Sequence, residues 1–494
     1  MINSSSLFLQ DTFKLRCAVP VALACAVLIT GCSHTSSFDG QNQTVPVPAQ
    51  WSGSTTHATA STPQDLSQWW QLFGDAQMTG LIEQALQANP SVQTAQAALR
   101  QARAQLGVSE ANRLPSAGAS LGGTRSKREP NSASNSFNAG IDASWEPDWW
   151  GIQSNQVKAA QANVAAALAS LEGAHVSLAA EVAQNYIELR NLQNRLAIAE
   201  SNLRIQSENE QITQWRVQAG LATSLDAEQA KASTAQTAAQ IPALQASQAK
   251  ALHALAILTG QVPTALVGSL GQPKALPQAP ADLAMTLPAD TLRQRPDVRA
   301  QEQKVVAAVA NLSAQERANF PSLSLRGSLG LSAVTLSALG SSGATLATSI
   351  AASLSQTLFD GGANSARIQE RQAAVEIARI NYRSSVLSAL QEVEDALVQL
   401  KGDQERLEQL KVAQEAATYA QLLASQRYSS GLVDFQTVLD TQRTLLSSQD
   451  SVATAQAAIS TDYVRLYKAL GGGWQPLGLD GQPTRMSTNT AQPQ

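Results

Sequence analysis

One internal duplication constrains this chain more than any other feature. Asn89-Pro90 recurs as Arg295-Pro296, and Arg113-Leu114-Pro115-Ser116 as Asn319-Phe320-Pro321-Ser322, each 206 positions later. Trp149-Trp150-Gly151 corresponds to Phe359-Asp360-Gly361 at an offset of 210. Glu181-Val182 against Glu392-Val393, and Ala219-Gly220-Leu221 against Ser430-Gly431-Leu432, lie 211 apart. Leu258-Thr259-Gly260 and Leu470-Gly471-Gly472 lie 212 apart. So small a drift over the whole chain means one structural unit present twice, with short loop insertions.

Proline spacing and apolar periodicity define the unit. No proline falls between Pro147 and Pro242, or between Pro321 and Pro476, so both windows permit long helices. Val164, Leu168, Leu171, Leu178, Val182, Leu189, Leu196 and Leu203 keep heptad spacing in the first copy. Val386, Leu390, Val393, Leu397, Leu400 and Leu407 keep it in the second. The spacing predicts helices over 152–218 and 362–428, each about 100 Å long. Gly220 and Gly431 end them, and Thr223 and Asp434 offer N-caps for the next helices. The remaining helices are expected over 78–112, 223–260, 289–318 and 434–470, with Pro242 kinking one of them. Each is about half the length of a long helix, so two stacked end to end would match one long helix running back beside them.

A period of two separates the short helices from the long ones. Phe137, Ala139, Ile141, Ala143 and Trp145 alternate with Ser136, Asn138, Gly140, Asp142 and Ser144. Leu323, Leu325, Leu329 and Leu331 alternate with Ser322, Ser324, Ser328 and Ser332, and Leu346, Ile350, Leu354 and Leu358 continue the pattern. Residues 116–127 alternate weakly. Segments of this length are expected as two β-hairpins, 116–147 and 321–359, apolar on one face and polar on the other. Aromatic residues make up only 4% of the chain and Ala roughly one residue in six, which suits close helix packing better than a thick globular core. A net charge of −4 without a basic block excludes a nucleic-acid partner.

The N-terminus carries an address. Lys14 and Arg16 precede an apolar run from Val19 to Thr30, too short to span a bilayer, and Leu28-Ile29-Thr30-Gly31-Cys32 resembles a bacterial lipobox. The alternative is an ordinary signal peptide with a chance cysteine. If the lipobox holds, residues 1–31 are a signal peptide and Cys32 is acylated. The only other cysteines, Cys17 and Cys25, would then be removed with it. Ser33, rather than Asp, directs such lipoproteins to the outer membrane. No later segment has the apolar length of a transmembrane helix, so any crossing must be a barrel. Four strands cannot close a water-filled barrel and two chains give too few, whereas three give twelve.

With these features together, the chain resembles the TolC-like outer-membrane efflux proteins, in the lipoprotein branch that serves multidrug pumps. The resemblance runs from about Trp69 to Trp474. It rests on the duplicated strand and long-helix units, on Asn89-Pro90-Ser91 and Arg295-Pro296-Asp297, and on Trp150-Gly151 with Phe359-Asp360-Gly361-Gly362. The tips Ala219-Gly220-Leu221 and Tyr428-Ser429-Ser430-Gly431-Leu432, followed by Val438-Leu439-Asp440, also match. The resemblance implies an α+β membrane protein: a homotrimer whose twelve-stranded β-barrel continues into a periplasmic α-helical barrel. Expected partners are outer-membrane lipids, a periplasmic adaptor protein and an inner-membrane pump driven by the proton gradient. The expected boundaries are a lipidated linker over 32–68, the first repeat over 69–262, a linker over 263–286, the second repeat over 287–474, and a disordered tail over 475–494.

The same resemblance supplies site residues. Gly220, Leu221, Gly431 and Leu432 at the helix tips are expected to dock the adaptor, or else simply to terminate helices. Asp440 corresponds to a constricting aspartate, three copies of which form an acidic ring, and Gln436 lies one turn earlier. Asp226 and Tyr428 match a pair that in some relatives ties neighbouring helices shut through an Arg. Here that Arg position reads Val433, a second gate aspartate reads Thr437, and Thr223-x-x-Asp226 equally forms a capping box. No catalytic motif, metal site or cofactor is expected apart from the lipid on Cys32. Other readings are a duct for type I protein secretion and a non-conducting lipoprotein that spans the periplasm as a scaffold.

Overall fold

The computed structural model describes residues 66–127, 129, 132–278 and 294–474, all within one compact unit spanning Val47–Gln494. The signal peptide, Cys32, most of the N-terminal linker and the tail 475–494 lie outside the described residues. After a 3-10 turn at Trp69–Phe73 come α1 (Ala76–Ala88), α2 (Pro90–Ala111), β1 (Ser116–Ser126), β2 (Ser134–Trp145), α3 (Ile152–Gln218) and α4 (Ser224–Leu258). The second copy follows with α5 (Pro296–Arg317), β3 (Ser322–Ala333), β4 (Thr345–Ser355), α6 (Ala363–Ser429) and α7 (Phe435–Ala469). No described helix is long and apolar enough to cross a membrane.

The helix expected over 78–112 is two helices. Pro90 disfavours helical backbone at the preceding residue, and Asn89 is extended (ψ 131°). Its Oδ1 accepts from the Ser91 amide at 2.8 Å and so caps α2. Arg295 before Pro296 adopts the same extended form (ψ 130°) at the start of α5. Pro242 lies inside α4, which runs on past it to Leu258.

These two breaks are where the shorter helices meet, and they are unequal rather than half-length: 22 residues in α2 and α5 against 35 in α4 and α7. Asn89 Nδ2 donates to the carbonyl of Leu258, the last residue of α4, at 2.8 Å. Arg295 Nη1 donates to the carbonyl of Ala469, the last residue of α7, at 2.6 Å. The N-terminus of α2 therefore abuts the C-terminus of α4, and that of α5 abuts that of α7, with opposite ends of the helix dipoles facing. Gly260 and Gly471 make the approach possible. Both have positive φ (73° and 77°), and a Cβ on them would lie 2.7 Å from Ala88 O and 2.9 Å from Arg295 Cγ. Arg295 is buried and also reaches Asp297 and Glu392, each at 2.7 Å.

Each long helix thus has a composite partner, α3 packing against α2 and α4 and α6 against α5 and α7, and α3 packs as extensively against α5 of the second copy. Ala159, Ala162, Ala166, Ala169, Ala179 and Ala183 are buried along α3, so its neighbours approach closely. Polar links join the copies. Glu172 pairs with Arg299 at 2.7 Å, Arg195 grips both oxygens of Asp450 at 2.6 and 3.1 Å, and Asn202 Nδ2 donates to Gln449 Oε1 at 2.9 Å.

The four strands form one antiparallel sheet in the order β1-β2-β3-β4. Its register puts Leu121 opposite Ala139, Ile141 opposite Leu329, Leu323 opposite Leu354 and Leu331 opposite Leu346, all on one face. The other face carries cross-strand hydroxyl pairs: Ser116–Ser144 at 2.9 Å, Ser322–Ser355 at 3.0 Å and Ser328–Ser349 at 2.8 Å. Leu354 and Ile350 on edge strand β4 are 71% and 96% exposed, so in the single chain the apolar face and the sheet edge are both bare. At the foot of the sheet Trp150 stacks on Phe320 at 4.8 Å and donates to Pro321 O at 2.6 Å.

One buried pair sets a pH dependence. Asp462 of α7, 1% exposed, faces Asp403 of α6, while Arg465 and Arg406 reach the pair from the solvent side. Burial, and then the neighbouring Asp403 carboxyl, push Asp462 up to about 7 against the opposing pull of Arg465. The folded chain therefore keeps a proton that the unfolded chain loses near 3.8. Stability falls as pH rises between these values and levels off above the higher one. Asp462→Asn is expected to stabilise the protein by about 1–3 kcal/mol at pH 8 and to leave it nearly unchanged at pH 4, measured by thermal unfolding.

Candidate functional site

The two long helices end in the same way, for the same reason. At the end of α3, Gly220 turns left-handed (φ 71°), its amide bonds Val217 O at 3.0 Å, and the Leu221 amide bonds Arg216 O at 2.7 Å. At the end of α6, Gly431 (φ 73°) bonds Tyr428 O at 3.0 Å and Leu432 bonds Arg427 O at 2.8 Å. These are Schellman endings, which satisfy carbonyls that the helix leaves free. A Cβ on either glycine would meet nothing within 4 Å, so the dihedral angle alone requires glycine. Leu221 and Leu432 are 71% and 74% exposed, which places both candidate docking leucines at the surface of the tips.

The helices after the tips are capped by side chains. Thr223 and Asp226 form a reciprocal box, with Thr223 N donating to Asp226 Oδ2 at 2.9 Å and Asp226 N to Thr223 Oγ1 at 3.2 Å. The structure therefore uses the Asp226 carboxylate to start α4. Asp434 caps α7 through the Thr437 amide at 2.9 Å, and the hydrogen bonds from Thr437 hold its carboxyl below the usual range.

Tyr428 is drawn inward. Phe435, Val438, Leu439, Ala230 and Ala424 form a buried cluster, and Tyr428 packs on it with its ring 5.3 Å from that of Phe435. The Arg216 guanidinium lies over the Tyr428 ring at 4.5 Å. Sequence reasoning missed Arg216, which approaches Tyr428 as a stacking cation from the last turn of the other long helix. Its signal was an arginine in that turn of both copies, Arg216 and Arg427.

Gln436 and Asp440 share the exposed face of α7. Gln436 Nε2 donates to Asp440 Oδ1 at 3.0 Å, and Arg443 Nη1 lies 3.9 Å from the same oxygen. Val438, Leu439 and Gln442 occupy the buried face. Beyond the tip cluster a polar cavity of about 750 Å³ opens between α3, α4 and α7, lined by Arg195, Gln206, Gln236, Gln240, Arg443 and Asp450 among others. The structure thus joins Tyr428 to one packed cluster and Gln436 to Asp440, and keeps Asp226 in its own cap.

An amphipathic four-stranded sheet with bare edges, carried on duplicated helices of 67 residues, defines the protomer of a trimeric outer-membrane channel. Twelve strands from three such chains close the barrel, and the helices continue it as an α-helical barrel. The family model described as "Outer membrane efflux protein" matches residues 81–261 and again 287–472, and the chain belongs to that family. The pyoverdine export outer membrane protein OpmQ of Pseudomonas aeruginosa is 30% identical over 92% of this chain and 96% of its own. The probable outer membrane lipoprotein SilC of Salmonella typhimurium is 28% identical over 94% of this chain and 99% of its own. Among solved structures, the outer-membrane channel OprN superposes with a TM-score of 0.80 at 36% identity, covering 87% of this chain and 98% of that one. The chain is an outer-membrane efflux duct.

Because only the backbone angle requires glycine at the tips, Gly431→Ala is expected to cost about 1 kcal/mol locally, while Gly431→Asn recovers most of it. Amide hydrogen exchange in the last turn of α6 should read both effects.

Proposed function

We propose that this duct passively conducts small molecules handed to it by a periplasmic adaptor and an inner-membrane transporter, the latter driven by the proton gradient. It performs no covalent chemistry and holds no cofactor beyond a lipid on Cys32, which helps fix the homotrimer in the outer membrane. Gly220, Leu221, Gly431 and Leu432 meet the adaptor. Support for this comes from the two matching tips, each presenting an exposed leucine on a doubly hydrogen-bonded turn. Gln436 and Asp440 line the closed entrance, with Tyr428 and Asp226 at its margins. The observation that carries the duct reading is the sheet, whose apolar face suits lipid and whose hydroxyl-lined face suits water. A scaffold that only bridged the periplasm would need neither face.

The test is conductance of purified trimers in planar bilayers. Replacing Asp440 and Gln436 together by Ser is expected to raise single-channel conductance several-fold, on the order of the gain from widening a narrow polar constriction. Trimers that never conduct, even with both changes, would sink the duct reading. Separately, Cys32→Ser should abolish incorporation of labelled palmitate while leaving the folded trimer intact.

A further inference from the structure

The resemblance to a constricting aspartate predicts a purely acidic ring at the entrance. The structure gives Asp440 a basic companion, whose effect on transport depends on Asp440 lining the entrance as proposed for the gate. The buried face of α7 carries Phe435, Val438, Leu439, Gln442 and Leu445, which leaves Gln436, Asp440, Arg443 and Ser447 on the other side. Arg443 is one turn past Asp440, and its guanidinium lies 3.9 Å from the carboxylate oxygen that also accepts from Gln436. Both side chains remain more than half exposed (51% and 59%), so the pair faces water rather than the helix core. Farther along α7, Asp450 is gripped by Arg195 from α3. On α4, Glu228 and Lys231 stand three residues apart with opposite signs, and Asp226 is engaged in its cap.

Charge spacing decides what a passing ion feels. Screening acts over about 8 Å in physiological salt, so opposite charges about 4 Å apart are felt together as a dipole. Three Asp440 residues around an axis bring three Arg443 residues with them, and the ring has no net formal charge. We infer that Arg443 sets the charge selectivity of the entrance by cancelling the Asp440 ring, so that anionic, zwitterionic and cationic solutes all pass.

The experiment is the reversal potential of the purified full-length trimer in a planar bilayer under a potassium chloride gradient. The unmodified channel is expected to discriminate between potassium and chloride by no more than about twofold. Arg443→Gln should raise the potassium-to-chloride permeability ratio at least about threefold, because the acidic ring is then uncovered. Asp440→Asn should shift the ratio toward chloride, Arg443→Lys should keep the native ratio, and the double change Asp440→Asn with Arg443→Gln should return close to it. A strongly cation-selective native channel overturns the inference. So does an unchanged ratio in Arg443→Gln when Asp440→Asn shifts it, and in that case the gate reading survives. If neither single change moves the ratio, the Asp440 gate reading itself fails. Both side chains are solvent-exposed, and trimer assembly checked by light scattering separates selectivity from misfolding.

Discussion

The last carbonyls of α4 and α7 are the points on which the long-helix architecture depends. A helix of 67 residues buries its seam only if something long lies beside it, and on each side a helix of 22 residues stacked on one of 35 supplies most of that length. Asn89 and Arg295 make this possible by bonding Leu258 O and Ala469 O, so that two shorter helices act as one. The prolines that follow them stop the preceding backbone from continuing as helix, and the glycines at 260 and 471 let the ends close. Buried carbonyls at a helix end are costly when unpaired, so the same bond that aligns the helices also removes that cost. Arg295 does more than Asn89, since it also ties α5 to Glu392 on α6.

That alignment sets what happens at either end. Toward the sheet, α2 and α5 deliver the chain to β1 and β3, and the strands return it to the starts of α3 and α6. The sheet then faces two solvents with side chains that suit each, and its unpaired edges demand further copies. Toward the tips, the long helices can end freely because their terminal carbonyls are satisfied locally by the left-handed glycines. The tips thus have their terminal carbonyls hydrogen-bonded within the turn and expose the apolar side chains of Leu221 and Leu432.

The sequence makes the long helices legible because proline-free windows and heptads both act along the chain, and both survive in the fold. The strands are legible for the same reason, as a period of two running from Phe137 to Trp145 and from Leu323 to Leu331. The break at Asn89 is harder to see, because apolar periodicity runs through it and only the proline rule speaks against a continuous helix. Contacts between distant segments are not legible at all. Nothing in the spacing of Arg216 and Tyr428 brings a guanidinium over a ring, since that depends on how two helices end side by side. Arg443 is intermediate. Its place one turn after Asp440 is visible, but spacing does not distinguish a tied pair from two free charges.

The duplication explains where the two halves agree and where they have parted. Both tips use the same turn, and both following helices are capped by a side chain at the equivalent position, Thr223 and Asp434. Beyond the caps the copies diverge. At an offset of 211, Tyr428 stands where the first copy has Val217, Phe435 where it has Ser224, and Asp440 where it has Gln229. The aromatic packing and the charged pair thus both belong to the second copy, and α4 contributes only Ala230 to the cluster beneath them. A helix held by Phe435 and Tyr428 at its foot and by Arg195 and Asn202 farther along is pinned at two levels, with the face carrying Asp440 and Arg443 between them. Duplication supplied two equivalent helix tips, and side-chain divergence in one copy placed the aromatic packing and the Asp440–Arg443 pair there.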